Sequence, residues 1–192
     1  MKLVKYENFR HEIWNGDLLL FRRSRFGFLS TAIATAGRGI HSHAGKAAWW
    51  HDDLFCLEVR EFHGGRAVTL SSQVKKYSGR IDVFRPNANG KWSLYNPEIS
   101  LEVMRRLTGT DYGYINVTIT AMTHIPLIRW FVKPDKNDEN YRSRKRPPFC
   151  SQAVAMAERI AGVDPVPNLS DRFTEPADLA RSPFYTYLFT LG

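Results

Sequence analysis

A thiol, an imidazole and a carboxylate are the side chains in this chain best placed to do chemistry. Cys150 follows Pro147-Pro148-Phe149 and opens the run Cys150 to Ala161, the clearest helical pattern present, which stops at Gly162 with Pro165 beyond. A thiol at a helix N-terminus meets unpaired backbone N–H groups and the positive end of the helix dipole. Both favour the thiolate, which is the reactive form. On this helix Cys150, Ala153, Val154, Ala157, Ile160 and Ala161 share one face, with Gln152, Glu158 and Arg159 opposite, so the thiol is expected to point toward a sheet. The plainer alternative is a buried, inert thiol on an apolar face.

His43 is the candidate base. It lies in Ile40-His41-Ser42-His43-Ala44-Gly45, a strand-like run whose small residues leave room for a nucleophile, an imidazole and a substrate. His41 shares its strand parity, so periodicity alone does not choose between the two. An imidazole acting as base needs a third group to orient it through its second nitrogen. Glu58 is the candidate, from the partner strand of the hairpin that follows. Glu61 has the opposite parity. The competing role for Glu58 is a surface carboxylate paired with Arg60 or Lys46.

These residues need a sheet first and a helix late. Asn15-Gly16 is a turn signal, and Asp17 to Arg22 reads as a buried strand. Phe26 to Ala36 reads as a short helix. Ser42 to Trp50 and Leu54 to Glu61 form a hairpin joined at His51-Asp52-Asp53. Gly64-Gly65 turns into Arg66 to Leu70, Ser71 or Ser72 caps a short helix to Tyr77, and Arg80 to Arg85 is the fifth strand. Asn96-Pro97-Glu98 then starts a helix, with Ile99, Val103 and Leu107 at helical spacing and a stop at Gly109. Tyr114 to about Val132 reads as helical with a break at Pro126, and 133–148 as a mobile basic loop. The tail ends in Tyr185 to Leu191, read as an added edge strand. Strands first and helices after imply an α+β fold in a single domain over 1–192.

Bulk properties narrow the classes further. At 192 residues with 43% hydrophobic content the chain can bury a full core, and its two cysteines are too few for a disulfide scaffold or a structural zinc site. His41, His43 and His51 with Asp52 and Asp53 do not fall at zinc-ligand spacing, so neither metal nor cofactor is expected. No phosphate-binding or dinucleotide glycine motif occurs. The net charge of +8 favours anionic partners without choosing among nucleic acid, anionic lipid and acidic envelope polymers. The tract Arg142 to Arg146 reads as a solvated loop beside the active-site helix, able to steer an anionic substrate, and nucleic acid is not the expected partner. The apolar run Val117 to Val132 is interrupted by His124, Pro126 and Arg129, so membrane contact without insertion is all that is allowed for. With no secretory pattern in its first residues, the chain is expected to be cytoplasmic on synthesis, later release or virion packaging being left open.

In order, Gly16-Asp17-Leu18-Leu19-Leu20-Phe21-Arg22, Ser42-His43-Ala44-Gly45, Leu57-Glu58-Val59, Ile81-Asp82-Val83-Phe84-Arg85-Pro86, Gly109-Thr110-Asp111-Tyr112 and Phe149-Cys150-Ser151 resemble the YiiX-like branch of the permuted NlpC-type hydrolases, the group that includes lecithin retinol acyltransferase. The resemblance runs from about Gly16 to about Pro183. It implies a circularly permuted papain-like fold, with an antiparallel sheet of five to six strands against helices and the nucleophile at the N-terminus of a late helix. It implies Cys150 as nucleophile, His43 as general base and Glu58 as the orienting residue, with the Cys150 N–H in an oxyanion hole. Tyr112 and Ser151 would line the pocket or support the oxyanion. The activity implied is hydrolysis of an amide or ester in a peptide or acyl substrate, and the small phage and prophage look-alikes tilt the expectation toward cell-wall peptide bonds. A lipid acyltransferase or thioesterase using an apolar channel of Trp49, Trp50 and Phe149 is the first alternative. A non-catalytic basic binding or virion protein is the second.

Overall fold

The computed structural model describes residues 2–23, 39–113 and 147–192. The expected helices at 26–36 and 114–132, the tract Arg142 to Arg146 and all but the last two residues of the basic loop 133–148 lie outside the described residues. Elements are labelled in chain order. The strands are β1 (Leu3–Val4), β2 (Leu18–Arg22), β3 (His41–Trp50), β4 (Asp53–Arg60), β5 (Gly64–Thr69), β6 (Ile81–Pro86) and β7 (Tyr185–Leu191). The helices are α1 (Tyr6–Phe9), α2 (Leu70–Lys76), α3 (Pro97–Arg106), α4 (Cys150–Ile160) and α5 (Pro176–Arg181).

The strands make one seven-stranded sheet in the order β1-β7-β6-β2-β3-β4-β5, antiparallel except for the β1–β7 pair. This α+β architecture agrees with the sequence reading in class. The strand count does not agree, because β1 is only two residues long and carries no periodic signal. β7 is also not an edge strand: it sits between β1 and β6, and its partners are fixed by tertiary packing that local pattern cannot show.

Both faces of the sheet are covered, so β2 is apolar at consecutive positions instead of alternating. Leu18 and Leu20 pack with α3, α4 and α5 on one face, while Leu19 and Phe21 pack with the N-terminal segment on the other. Each of these fully buried side chains contributes about 1.5–3 kcal/mol.

Local chemistry explains the helix starts. The Asn96 side chain accepts hydrogen bonds from the Glu98 and Ile99 N–H groups at 3.0 and 3.4 Å, capping α3 as expected. Its buried stripe is Leu101 and Met104, with Ile99 exposed, so the apolar spacing marks the helix but is off by a position in its face. α2 begins at Leu70 after Thr69, with no side-chain cap, and Ser71 and Ser72 lie inside it.

Candidate active site

α4 starts where the sequence predicts. Phe149 is extended, with φ −99° and ψ 176°, and its carbonyl accepts the first helical hydrogen bond, from the Ala153 N–H at 2.9 Å. Cys150 is therefore the first helical residue, and the N–H groups of the first turn have no intrahelical acceptor. The segment entering α4 is braced by the chain after α3. Gly113 donates to the Pro148 carbonyl at 3.1 Å, and a Cβ at 113 would collide with the Pro147–Pro148 backbone. This contact brings Tyr112 into the same buried cluster as Phe149 and Cys150.

The base comes from β3 at the point where it parts from β4. The β3–β4 ladder ends at Gly45↔Glu58; beyond it β4 continues with β5 while β3 continues with β2. His43 lies just past that last pair, next to Phe21, whose ring meets the imidazole edge-on at 5.0 Å. Strand parity puts His43 on the opposite sheet face from Ala44, which packs with α4. Cys150 Sγ lies in hydrogen-bond contact with the His43 side chain and accepts from the Ala44 and Ser151 N–H groups.

Glu58 completes the constellation. Its Oε2 is 2.6 Å from His43 Nε2, leaving Nδ1 as the ring nitrogen for sulfur. Its Oε1 accepts from Arg66 Nε at 2.8 Å and from Gln73 Nε2 at 2.7 Å, and Arg60 lies 3.7 Å from Oε2. The carboxylate is wholly buried and the imidazole 13% exposed. Burial raises the Glu58 pKa, but His43 and the two arginines outweigh it and hold the group at about 2. Burial lowers that of His43, yet the Glu58 charge and the thiolate beside it bring it up to about 9. Cys150 is 1% exposed, and burial alone would raise its pKa; the imidazolium and the two N–H donors reverse the sign and lower it. A lowered thiol beside a raised imidazole favours a Cys⁻–HisH⁺ pair, with a carboxylate behind it. It can attack a carbonyl carbon and return a proton to a leaving group.

The structure thus brings together Cys150, His43 and Glu58. His41 is drawn elsewhere: its Nε2 is 2.7 Å from Asp82, which also binds Arg22 and Thr190. Of the other predicted pocket residues, Tyr112 belongs to the same buried cluster as the thiol, whereas the Ser151 side chain turns inward to the Thr174 carbonyl at 2.8 Å, so only its backbone faces the sulfur. Cys56 sits under the carboxylate, 3.9 Å from Glu58 Oε2, where burial and that charge raise its pKa. Arg66 and Gln73 hold Glu58 yet carry no sequence signal; the pairing Glu58↔Arg66 follows only once the β4–β5 register is known. Gln152 and Glu158, expected on the outer face of α4, are buried, and Ile160, expected inside, is 51% exposed. The helix is covered on more than one side, so its apolar stripe does not mark solvent. Among the described residues no group of three or more His, Cys, Asp or Glu side chains is arranged to hold a metal.

A seven-stranded α+β sheet with a thiol at a late helix N-terminus and an imidazole on β3 defines the structural class. A scan against models of known protein families finds no match to the chain, and a search of curated proteins finds none. Among solved structures the chain matches the crystal structure of the metalloprotein YiiX from Escherichia coli O157:H7, DUF1105. The TM-score is 0.61 at 14% identity, over 92% of this chain and 96% of that one. The chain has a YiiX-like fold.

Proposed function

We propose that the protein is a cysteine-dependent hydrolase on a circularly permuted papain-like fold, acting through a covalent acyl-enzyme. The observation that carries this reading is the His43 imidazole held between the Glu58 carboxylate, at 2.6 Å, and the Cys150 thiol at the start of α4. Cys150 Sγ attacks the substrate carbonyl carbon, and the oxyanion that forms is met by the Cys150 N–H at the start of α4. His43 gives its proton to the leaving nitrogen or oxygen as the carbonyl re-forms. It then takes a proton from water, whose oxygen attacks the thioester, and keeps it as the sulfur leaves as thiolate and the acid departs, which restores the starting pair. Glu58 keeps the ring oriented and its cation stabilised throughout. Tyr112 belongs to the buried cluster that holds the thiol.

As substrate we favour the peptide amides of bacterial cell wall, in keeping with the +8 net charge and the anionic polymers of the envelope, and with release or virion packaging as a delivery route. The lipid acyltransferase alternative has less support. Trp49 donates to the Ile13 carbonyl and lies against Arg10, on the other core from the thiol, while Trp50 meets Phe55 in a tilted pair at 4.5 Å and Phe149 directly precedes the thiol, so the three do not form one channel wall. Among the described residues no helix is long and apolar enough to cross a membrane.

Incubation with a panel of cell-wall peptides and of acyl esters, quenched in acid and read by intact mass, tests the proposal. A mass increment on Cys150 from the peptide panel, lost in Cys150→Ser, is expected. Turnover that survives Cys150→Ser would contradict it, and an increment from the lipid esters alone would favour the acyltransferase.

A further inference from the structure

Beneath α4 lies an ion pair that neither the thiol nor the imidazole touches. Lys46 and Glu158 are both wholly buried, with Lys46 Nζ 2.5 Å from Glu158 Oε1. Lys46 projects from β3 between Leu18 and Leu57, its buried neighbours on the two adjoining strands. The Tyr95 hydroxyl accepts from the ammonium at 3.1 Å, and the Tyr185 hydroxyl donates to the carboxylate at 2.7 Å. Burying two charges in such a place costs several kcal/mol per ion, and an apolar pair of the same size is often as stable or more so. Stability is therefore a poor reason for this pair.

Its position offers a better one. Lys46 is three residues from His43 on β3, and Glu158 is eight residues from Cys150 on α4. Those separations span about 10 Å along a strand and about 12 Å along a helix. The same helix and strand are thus joined at two points whose spacings match, one of them sulfur to imidazole and the other carboxylate to ammonium. Apolar contacts are non-directional and allow a helix to slide or roll by fractions of an ångström. A desolvated, hydrogen-bonded ion pair has one favourable geometry.

We propose that Lys46 and Glu158 are positioning residues: their ion pair sets the register of α4 along β3 and so holds Cys150 against His43. This rests on the cysteine-hydrolase reading and adds to it the device that maintains the catalytic distance. Neither residue touches substrate.

The test compares wild type with the double variant Lys46→Met, Glu158→Leu. Each is melted, and the Cys150 thiolate is titrated by ultraviolet absorbance against the matching Cys150→Ser protein. Wild type should titrate below the ordinary thiol value. The double variant should melt cooperatively at the wild-type temperature or above, with its Cys150 titration moved up by about one unit, a tenfold loss of thiolate at a given lower pH. A folded double variant with the wild-type titration would overturn the proposal while leaving the hydrolase reading intact. A wild-type thiol titrating at or above its ordinary value would overturn both. Should the double variant fail to fold, Lys46→Arg keeps the charge but not its geometry. A raised titration in that protein supports the positioning role, and an unchanged one refutes it.

Discussion

Glu58 is the residue on which the charge state of the site turns. Arg66 and Gln73 hold one oxygen of its carboxylate, and the other meets His43 with Arg60 close by. Glu58→Gln keeps the shape and removes the charge. The His43 pKa should then fall from about 9 toward its ordinary 6.5, because the Glu58 charge is the largest influence raising it. The imidazolium is needed to protonate the leaving group, so the alkaline limb of the rate profile should move from near 9 toward neutrality. The maximal rate should drop by about 10²-fold or more. A pH–rate profile on the variant checks this, and an unmoved alkaline limb would count against the assignment. At this scale the sequence was legible in part. Cys150 was visible because proline and helix signals are local, and Glu58 because hairpin parity is local. His43 could not be told from His41 by parity. What separates them is that Asp82, from β6, claims His41, a contact between residues 41 positions apart.

At the scale of elements, the site depends on β3 and β4 staying paired up to Gly45↔Glu58 and parting immediately after. Gly45 makes the last pair close enough to work. A Cβ there would lie 2.7 Å from Cys56 Sγ and 3.0 Å from the Leu57 carbonyl oxygen. Gly45→Val should therefore push β4 away, costing about 1–3 kcal/mol by overpacking and displacing Glu58 from His43. A lowered melting temperature with a larger proportional loss of activity is expected, whereas Ala47→Val, further up the strand, lacks the second effect. The hairpin and α4 were readable because each is specified by neighbours in sequence. The place of β7 between β1 and β6, and the burial of Glu158, were not. An acidic residue on a helix reads as solvated until Lys46 is known to lie beneath it.

Across the whole molecule the same charges set the pH range of stability. Glu58 and Asp82 have folded pKa values below their ordinary 4.5 and 3.8, so their contribution is complete above those values and is lost as the pH falls through the lowered ones, about 2 for Glu58. For Glu58 the shift to about 2 corresponds to roughly 3 kcal/mol, shared with His43 and not to be counted again for it. His43, raised from 6.5, contributes fully below 6.5 and loses its share as the pH rises through about 9. Asp17, raised by burial in spite of Arg85, works in the opposite sense on the acid side and offsets part of the loss. Denaturant midpoints should accordingly fall as the pH drops below about 4.5, while on the alkaline side the lowered Cys150 thiol offsets part of the His43 loss. Glu58→Gln should flatten both limbs. The overall class, α+β with strands first, followed from the order of patterns along the chain. The seven-stranded order did not, because it depends on which edges meet in space.

The account as a whole requires that His43 activates Cys150, and site-resolved alkylation of the native protein measures this directly. Near neutral pH a small iodoacetamide should modify Cys150 and spare Cys56, whose thiol is buried and held above its ordinary pKa. In His43→Ala the Cys150 labelling should fall by an order of magnitude or more, since burial would then raise its pKa with no imidazolium to oppose it. Equal labelling of both cysteines, or Cys150 labelling indifferent to His43→Ala, would contradict the account.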